Sequence, residues 1–344
     1  MDSQRFGLLV GCGSIGKRHA AAMNERYGSF SIVDPDQSVR DWVGQNFGSH
    51  IKVFSSITEW AKTCQDASLV TAVIATWGPR HFSDFKDLVE VGIKRVICEK
   101  PLADSIEKSE QMLQLSIENE VNTLVGIQRR NTGFYASIEE DVQTYCGGTP
   151  ELITVTGGAQ CLVTNGMHWL DFACQAFEGL PRNVVASLNN MFINPREKSL
   201  QFWEGVAVWE FAESRRFSIN LTNNSYIMGE IELVGPKGKI IVQQNSQVFG
   251  SRIPNEKIQP GWPTTRTVML ENAMTQINSE QTGNAFLAQL ELIDGEGADN
   301  YDFKQAAPVL NSMIGALESN REGIRVNLPI QPGTDAYSRN WAIS

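Results

Sequence analysis

The sequence predicts a two-domain α/β protein: a doubly wound parallel-sheet domain over residues 1–126, then an α+β domain with a largely antiparallel open sheet over 127–344. Through the first part, apolar runs alternate with helical segments, a pattern typical of a parallel sheet with helices on both faces. Beyond residue 127, short strands follow one another with few helices between them, which favours an antiparallel sheet. The length of 344 residues also exceeds what a single hydrophobic core usually supports.

The composition predicts a folded, soluble protein, with 42% hydrophobic and 20% charged residues. We find no apolar run long enough to cross a bilayer and no cationic signal region, so we expect a cytoplasmic location. The net charge of -10 disfavours a nucleic-acid partner, because such proteins bind phosphates through clustered Lys and Arg. The six cysteines have no paired spacing, so we expect reduced thiols, no zinc site and no disulfide framework.

The first element is an apolar strand over 6–10 that leads into the glycine turn Gly11-Cys12-Gly13-Ser14-Ile15-Gly16 and then into a helix. In a dinucleotide-binding turn, the first glycine allows the tight bend, the second allows the pyrophosphate to approach, and the third allows the helix to pack on the strand. N–H groups at the helix start, near Ser14, would bind the phosphates. The alternative is an ordinary glycine turn.

The second strand, 30–34, ends in Asp34, about 20 residues beyond the glycine turn, where a ribose-binding acid belongs. Its carboxylate could accept hydrogen bonds from both ribose hydroxyls. The 2'-phosphate of NADP would place negative charge beside it, so we expect NAD and disfavour NADP. The alternative is that Asp34 only begins the turn that follows it.

Further strands are expected at 51–54, 69–75, 95–98 and 122–127, with a helix opened by a capping box from Ser56 to Glu59 and another capped by Asp104. The strand at 69–75 stops before Thr76, and the strand at 95–98 leads into Glu99 and Lys100. Ligands of open parallel sheets bind beyond the carboxyl ends of the strands, so one crevice should collect these residues. Lys100 should lie at the cofactor's edge, unless it is an ordinary surface lysine.

In the second domain we expect six strands, at 152–156, 184–189, 206–211, 217–222, 230–234 and 239–243. The segment from Gly235 to Gly238 should form a tight turn between two of them. Helices are expected near 168–178, 284–294 and 309–319.

Taken together, these segments resemble the glucose-fructose oxidoreductase / inositol dehydrogenase / MocA (Gfo/Idh/MocA) family of NAD(P)-dependent oxidoreductases, over nearly the whole chain. The residues that carry the resemblance are Gly11-Cys12-Gly13-Ser14-Ile15-Gly16, Val33-Asp34, Ala75-Thr76 with Pro79 and His81, Glu99-Lys100-Pro101, Val125-Gly126 with Arg130, Gly166-Met167-His168-Trp169-Leu170-Asp171 and Gly235-Pro236-Lys237-Gly238. The resemblance implies a Rossmann domain, then an α/β domain whose open sheet mediates oligomerisation, here as a homo-dimer or homo-tetramer. It also implies sugar, polyol or nucleotide-sugar substrates.

The resemblance assigns catalytic roles to Lys100, which would hydrogen-bond the reacting hydroxyl and assist proton transfer, and to His168. A histidine suits this role because it titrates near neutrality, although a lone histidine at a helix start is otherwise usually structural. The cofactor-binding residues are expected to be Gly11, Gly13, Ser14, Ile15, Gly16, Asp34, Thr76, Trp77, His81, Glu99 and Lys100. The substrate-binding residues are expected to be Lys100, Arg130, Thr164, Asn165, His168 and Asp171.

The sequence departs from the family where an aspartate often precedes this histidine by four residues, because the equivalent residue is Thr164. Without that acid, His168 loses a partner that would favour its charged form. Thr164 or Asn165 would position the substrate through a neutral hydrogen bond. Asp171 either orients the helix or the ring, or is a solvated or capping carboxylate. Arg130 would bind a carboxylate or diphosphate, or belongs to a surface pair with Arg129.

The leading hypothesis is an NAD-dependent dehydrogenase that moves a hydride between the nicotinamide and a hydroxyl or carbonyl of a sugar-like substrate. Because the aspartate is missing, a second hypothesis stays open. In it the protein is a redox-neutral enzyme, an epimerase or a glycosidase-like protein, in which NAD stays bound. A non-catalytic, NAD-dependent regulator is the third alternative.

Overall fold

The computed structural model describes residues 5–343, apart from 133, 159–160, 192–199, 226, 228, 244–247, 253–274, 278–283 and 296–300. The chain forms two compact units. The first comprises Met1–Asn131, Gly283–Leu310 and Pro332–Ser344, and the second comprises Thr132–Thr282 and Asn311–Gln331. This division differs from a single cut after residue 126, because two later segments pack into the core of the first unit.

The described strands are β1 (Phe6–Val10), β2 (Phe30–Val33), β3 (Lys52–Phe54), β4 (Val70–Ile74), β5 (Arg95–Cys98), β6 (Asn122–Val125), β7 (Leu152–Gly158), β8 (Asn183–Met191), β9 (Phe202–Glu210), β10 (Arg216–Thr222), β11 (Glu230–Val234), β12 (Gly238–Val242), β13 (Val248–Arg252), β14 (Thr275–Ile277) and β15 (Val326–Asn327). The described α-helices are α1 (Ser14–Tyr27), α2 (Gln37–Asn46), α3 (Ile57–Ala61), α4 (Gly78–Glu90), α5 (Ile106–Glu118), α6 (Phe134–Asp141), α7 (Leu162–Ala176), α8 (Ala285–Asp294), α9 (Phe303–Glu322) and α10 (Asp335–Ser338). None of the described helices combines the length and the apolar character needed to span a membrane.

The first unit contains a six-stranded parallel sheet in the order β3-β2-β1-β4-β5-β6. The strand ends are in register: Val10 pairs with Val33 on one side and with Ile74 on the other, and Ile74 pairs with Cys98. The residues that follow these strands therefore lie along one edge of the sheet. The predicted Rossmann fold of this part is confirmed.

Helix α8 joins the first unit although it follows the second domain in sequence. Its Leu290 and Ile293 are fully buried in the same hydrophobic cluster as Leu9 of β1 and Ile97 of β5. These apolar contacts, formed across nearly the whole chain, are what return the helix to the Rossmann unit.

Two helix starts differ in detail from the sequence expectation. Ser56 accepts the N–H of Glu59 as predicted, but the Glu59 carboxylate accepts the N–H of Ser55 instead of that of Ser56. Helix α5 is capped by Ser105, and not by Asp104, because the Asp104 carboxylate is paired with Nζ of Lys108 at 2.9 Å.

The second unit contains a nine-stranded sheet among its described residues, in the order β14-β13-β12-β11-β7-β10-β9-β8-β15. Of the described strand pairs in this sheet, only β7–β10 is parallel, so the expected largely antiparallel sheet is confirmed. The turn from Gly235 to Gly238 joins β11 to β12 as predicted. One face is covered, for example at Phe217 and Ile219, while the alternate residues Arg216 and Asn220 are exposed.

Two helices of the C-terminal part are longer than expected. Helix α7 begins at Leu162, well before the predicted start near 168. Helix α9 spans Phe303–Glu322, and the boundary between the two compact units falls within it, after Leu310.

Candidate cofactor site and active site

The glycine turn after β1 has the geometry that its three glycines predict. Gly11 has a φ of +86°, and a Cβ there would lie 2.8 Å from the backbone N of Thr76. A Cβ on Gly16 would lie 2.2 Å from the carbonyl oxygen of Gly11, so only glycine lets α1 approach the turn. A Cβ on Gly13 would meet no atom within 4 Å, so this position faces open space in which a phosphate can approach the backbone.

The start of α1 is suited to an anion. Gly13 is its N-cap residue, so no side chain caps the helix, and the first turn carries no acidic residue. Gly13 and Ser14 are both exposed. The N–H groups of a first helical turn lack partners within the helix, and they favour negative charge. This arrangement fits the pyrophosphate of a dinucleotide.

Asp34 lies beside this turn and helps to hold it. Its Oδ2 accepts the backbone N–H of Cys12 at 2.8 Å, and its Oδ1 accepts that of Asp36 at 2.9 Å. Each carboxylate oxygen can accept a further hydrogen bond, so Asp34 can still bind ribose hydroxyls. Burial, and after it the charge of Asp34, raises the pKa of the Cys12 thiol to about 12, so this cysteine is a neutral packing residue.

His81 of α4 is buried and bridges the turns that follow β4 and β5. Its Nδ1 lies 2.8 Å from the carbonyl oxygen of Pro101, and its Nε2 lies 3.1 Å from that of Thr76. Burial lowers the pKa of His81, against the hydrogen bonds and the charges of Asp84 and Glu99, which act to raise it. Both ring nitrogens therefore contact the backbone of this chain, so a direct contact with the cofactor, as the sequence suggested, stays a prediction.

The neighbouring residues of the β4 turn are more open. Thr76 and Trp77 are half-buried, and Trp77 is the N-cap residue of α4. The Thr76 hydroxyl donates to Asp84 at 2.7 Å. Both side chains thus follow the carboxyl end of β4, where the sequence analysis expected them.

Glu99 directly follows β5 and is almost fully buried. Its Oε1 accepts from Nε2 of His19 at 2.8 Å and from Nε2 of Gln128 at 2.6 Å. Burial alone would raise the pKa of Glu99, but the hydrogen bond and charge of His19, together with the charge of Lys100, hold it below its usual range. A buried, ionised carboxylate therefore lies immediately before Lys100.

Lys100 is half-buried, and the peptide bond between it and Pro101 is cis. His19 and Gln128, which hold the residue before it, were not among the sequence-predicted site residues. The one available signal was that His19 shares a helix face with the buried Gly16 and Met23, where an imidazole needs a polar partner.

Arg130 lies in the first unit and belongs to a short 3-10 helix, Gln128–Thr132. Its guanidinium carbon lies 4.2 Å from the centroid of the Tyr301 ring, a cation–π distance. Arg130 and Arg129 are half-buried, so they are not a simple exposed surface pair.

The other predicted substrate residues lie together on α7 of the second unit. Thr164, His168 and Asp171 share one helical face by their spacing, and Asn165 lies one residue beyond Thr164. His168 lies in the interior of the helix and not at its start, because the helix begins at Leu162. Asp171 is fully buried, so it is not a solvated carboxylate. Thr164 and Asn165 are half-buried.

The structure thus brings the expected cofactor residues together at one edge of the parallel sheet, and the α7 residues together on one helix. Among the described residues, no group of three or more His, Cys, Asp and Glu side chains is arranged to hold a metal ion. The six cysteines are free thiols.

Residues 6–127 match a family model described as "Oxidoreductase family, NAD-binding Rossmann fold", GFO_IDH_MocA. No curated protein sequence matches the chain. Solved structures share the fold over both units. One is an oxidoreductase from Agrobacterium radiobacter in complex with NAD+, L-tartaric acid and magnesium, with a TM-score of 0.73 and 15% identity over 94% of this chain and 98% of that one.

Two further structures are similar. The WlbA dehydrogenase from Bordetella pertussis, in complex with NADH and UDP-GlcNAcA, has a TM-score of 0.69 and 20% identity over 95% of this chain and 99% of that one. An NAD-binding oxidoreductase from Klebsiella pneumoniae has a TM-score of 0.70 and 16% identity over 96% of this chain and all 100% of that one. At these identities the likeness establishes the fold, and the family match establishes NAD as the cofactor. The N-terminal domain of the chain, residues 6–127, thus matches the Gfo/Idh/MocA family of NAD-binding oxidoreductases.

Proposed function

We propose that this protein is an NAD-dependent dehydrogenase that acts on a hydroxyl or carbonyl group of a sugar, polyol or nucleotide sugar. The observation that carries the proposal is the placement of Asp34 after β2 and of Lys100 after β5, two strands of one parallel sheet whose ends are in register through β1 and β4. The carboxylate of Asp34 and the amine of Lys100 thus follow strands that end at the same edge as the open glycine turn. Such an edge is where this class of fold binds its ligands.

In this proposal the chain binds NAD through backbone and side-chain groups of the first unit. The N–H groups of the first turn of α1 bind the pyrophosphate, and Asp34 accepts the ribose hydroxyls. Asp34 also excludes a 2'-phosphate, because its charge would lie beside that group. Thr76, Trp77 and the Glu99–Lys100 segment complete the nicotinamide end.

When bound, NAD supplies a hydride acceptor or donor. Lys100 donates a hydrogen bond to the reacting oxygen and stabilises negative charge on it. His168 takes the hydroxyl proton during oxidation and returns it during reduction, since a neutral imidazole is a suitable base near neutral pH. Thr164 and Asn165 orient the substrate through neutral hydrogen bonds, and the buried Asp171 orients the histidine helix.

The substrate class is supported by the ligands of two similar structures, which are a nucleotide sugar in one and L-tartaric acid in the other. Each carries hydroxyl groups together with an anionic group. Arg130 suits such a ligand, because its guanidinium can bind a carboxylate or diphosphate through two hydrogen bonds. A cytoplasmic location and a homo-dimeric or homo-tetrameric assembly stay predictions.

The proposal is tested by adding NAD and a panel of sugars, polyols, sugar acids and nucleotide sugars to the full-length protein, and by recording the absorbance of reduced cofactor. We expect turnover with one class. Lys100→Ala should abolish it without loss of NAD affinity, whereas Lys86→Ala, on the exposed face of α4, should be unchanged. Normal turnover by Lys100→Ala would overturn the role of Lys100.

The presence of Thr164 in place of the family's aspartate favours a second candidate, a redox-neutral enzyme that keeps NAD bound. That enzyme would convert substrate without added NAD and would release no reduced cofactor. Product analysis of the same panel separates the two candidates. A panel without any conversion, together with a reproducible protein partner, would favour a non-catalytic NAD-dependent regulator.

A further inference from the structure

We propose that two buried histidines, His19 and His81, are positioning residues that hold Lys100 from both sides. His19 holds the residue before Lys100, and His81 holds the residue after it. The proposal rests on the proposed role of Lys100 at the reacting oxygen, and all the residues involved belong to the first unit.

On the side of residue 99, the contact is between side chains. His19 is completely buried, and its Nε2 lies 2.8 Å from Oε1 of Glu99. The edge of the His19 ring also packs on Phe286, with ring centroids 4.7 Å apart and planes at 83°. The histidine is thus fixed by packing as well as by its hydrogen bond, so it can fix Glu99 in turn.

The residues that directly follow β6 also confine the Glu99 carboxyl group. A Cβ on Gly126 would lie 2.9 Å from the Glu99 carboxyl carbon and from both of its oxygens. The Gln128 amide donates to the same Oε1 that His19 contacts. The carboxylate therefore occupies the space that a side chain at residue 126 would fill, and it has little freedom to move.

On the side of residue 101, the contact is with the backbone. His81 is buried, and its Nδ1 lies 2.8 Å from the carbonyl oxygen of Pro101. Its Nε2 lies 3.1 Å from the carbonyl oxygen of Thr76. A neutral imidazole carries one N–H, and we assign it to Nδ1, the shorter contact, which donates to Pro101. The ring of Pro101 is in turn close to Gly78, where a Cβ would lie 3.2 Å from its Cγ.

The fixed Glu99 carboxylate accepts the backbone N–H of Lys100 at 3.4 Å, and His81 holds the backbone of Pro101. The segment is thus restrained on both sides of Lys100, and rotations of the lysine side chain then place its amine. Buried polar groups are costly unless they are hydrogen-bonded, and an apolar residue could fill either site without that cost. What an apolar residue could not supply is a directed hydrogen bond to residue 99 or to residue 101. Positioning matters for catalysis, because a displacement of about 1 Å can lower the rate about 10²-fold.

The two histidines use different ring nitrogens, which provides a sharp test. The amide nitrogen of Gln occupies roughly the place of Nε2, and that of Asn roughly the place of Nδ1. At position 19, therefore, His19→Gln should keep the bond to Glu99 and His19→Asn should lose it. At position 81, His81→Asn should keep the bond to Pro101 and His81→Gln should lose it.

The primary measurement is the rate at which acetic anhydride acetylates Lys100 in the NAD-saturated, full-length protein. Mass spectrometry identifies the acetylated lysines, and the rate for Lys100 is divided by the rate for Lys86 in the same sample. This ratio should stay near the wild-type value in His19→Gln and His81→Asn, and should rise in His19→Asn and His81→Gln as Lys100 becomes more mobile. His50→Asn and His50→Gln are matched controls, because His50 is exposed. ADP-ribose affinity, which does not involve the nicotinamide, verifies that each variant is folded.

The second measurement is turnover with the substrate found for the wild-type protein. The variants that lose the bond should show kcat lowered by about 10²-fold, with little change in KM for NAD. The same order of Asn and Gln at both positions would overturn the proposal. So would labelling ratios in His19→Asn and His81→Gln that equal those of the His50 controls. Normal turnover by Lys100→Ala would instead overturn the proposed function, and would leave the labelling result interpretable.

Discussion

The two edges of the parallel sheet both carry a buried carboxylate, but the partners of the two carboxylates differ. At the amino edge, Asp294 of α8 lies near Arg5 and Arg26 at 3.3 and 3.2 Å, and accepts hydrogen bonds from Tyr27 at 3.0 Å and Thr71 at 2.7 Å. At the carboxyl edge, Glu99 is held by a histidine and an amide and precedes a lysine. A buried carboxylate surrounded by arginines and hydroxyls stabilises the fold, whereas one beside a histidine and a lysine can serve a site. Burial alone therefore does not distinguish the two edges.

The largest effect is expected in the glycine turn of the carboxyl edge. Gly16→Ala should lower the free energy of unfolding by about 3 kcal/mol, because its Cβ would overlap the Gly11 carbonyl. Gly13→Ala should leave stability nearly unchanged, since its Cβ meets no atom, and should instead lower NAD affinity. Urea denaturation and calorimetric titration measure the two quantities. Equal stability losses in both variants would contradict the geometry of this turn.

The next largest effect is expected from substitutions of the two buried carboxylates, which distinguish the roles of the two edges. Asp294→Ala should lower the free energy of unfolding by about 2 kcal/mol, because it leaves buried hydrogen-bonding groups without their acceptor, while NAD affinity stays at the wild-type value. Glu99→Gln, at the other edge, should lower kcat with little change in NAD affinity, because it weakens the hold on the Lys100 segment. A loss of NAD affinity in a folded Asp294→Ala protein would mean that the amino edge also serves the site.

A third test introduces a carboxylate next to a histidine in the second unit. Thr164→Asp places an acid one helical turn before His168, and an acid at this distance favours the charged imidazole. The acidic limb of the pH–rate profile should move to higher pH, by about 1 unit, because His168 must lose its proton to act as a base. Thr164→Asn is the matched control without charge. An unchanged profile in the Asp variant would argue that His168 does not titrate in the reaction.

The smallest effect is a loss of stability in acid that arises at the carboxyl edge. The pKa of His81 lies below its ordinary value of 6.5 in the folded protein. The unfolded chain therefore takes up a proton first, and the free energy of unfolding should decrease as the pH falls below 6.5. The pKa of Glu99 lies below its ordinary 4.5, so its contribution is complete above pH 4.5 and is lost below it. One such group changes stability by at most about 1.4 kcal/mol per pH unit.

Denaturation in urea at a series of pH values measures this decline, and His81→Asn should lack the part between pH 6.5 and 4.5. A wild-type curve that is flat over that interval would contradict the assignment to His81.

By itself, the sequence determined the glycine turn, the strand ends and the placement of Asp34, Thr76, Glu99 and Lys100. In a parallel sheet these follow from local patterns, because a residue after a buried strand must lie at the carboxyl edge. The N-cap of α5 is Ser105 and not Asp104, because Asp104 pairs with Lys108. The start of α7 was placed too late, because no side chain caps that helix and local sequence therefore gives no signal for its first residue.

Only the tertiary structure decided how these residues are held. The His19–Glu99 pair joins residues 80 positions apart, and the Arg5–Asp294 pair joins residues 289 apart. Neither periodicity nor local motifs carry information about contacts at such separations. The return of α8 to the first unit depends likewise on burial of Leu290 and Ile293 against strands from the start of the chain. The residues that perform chemistry are therefore specified locally, while the contacts that position them arise when distant segments pack into one core.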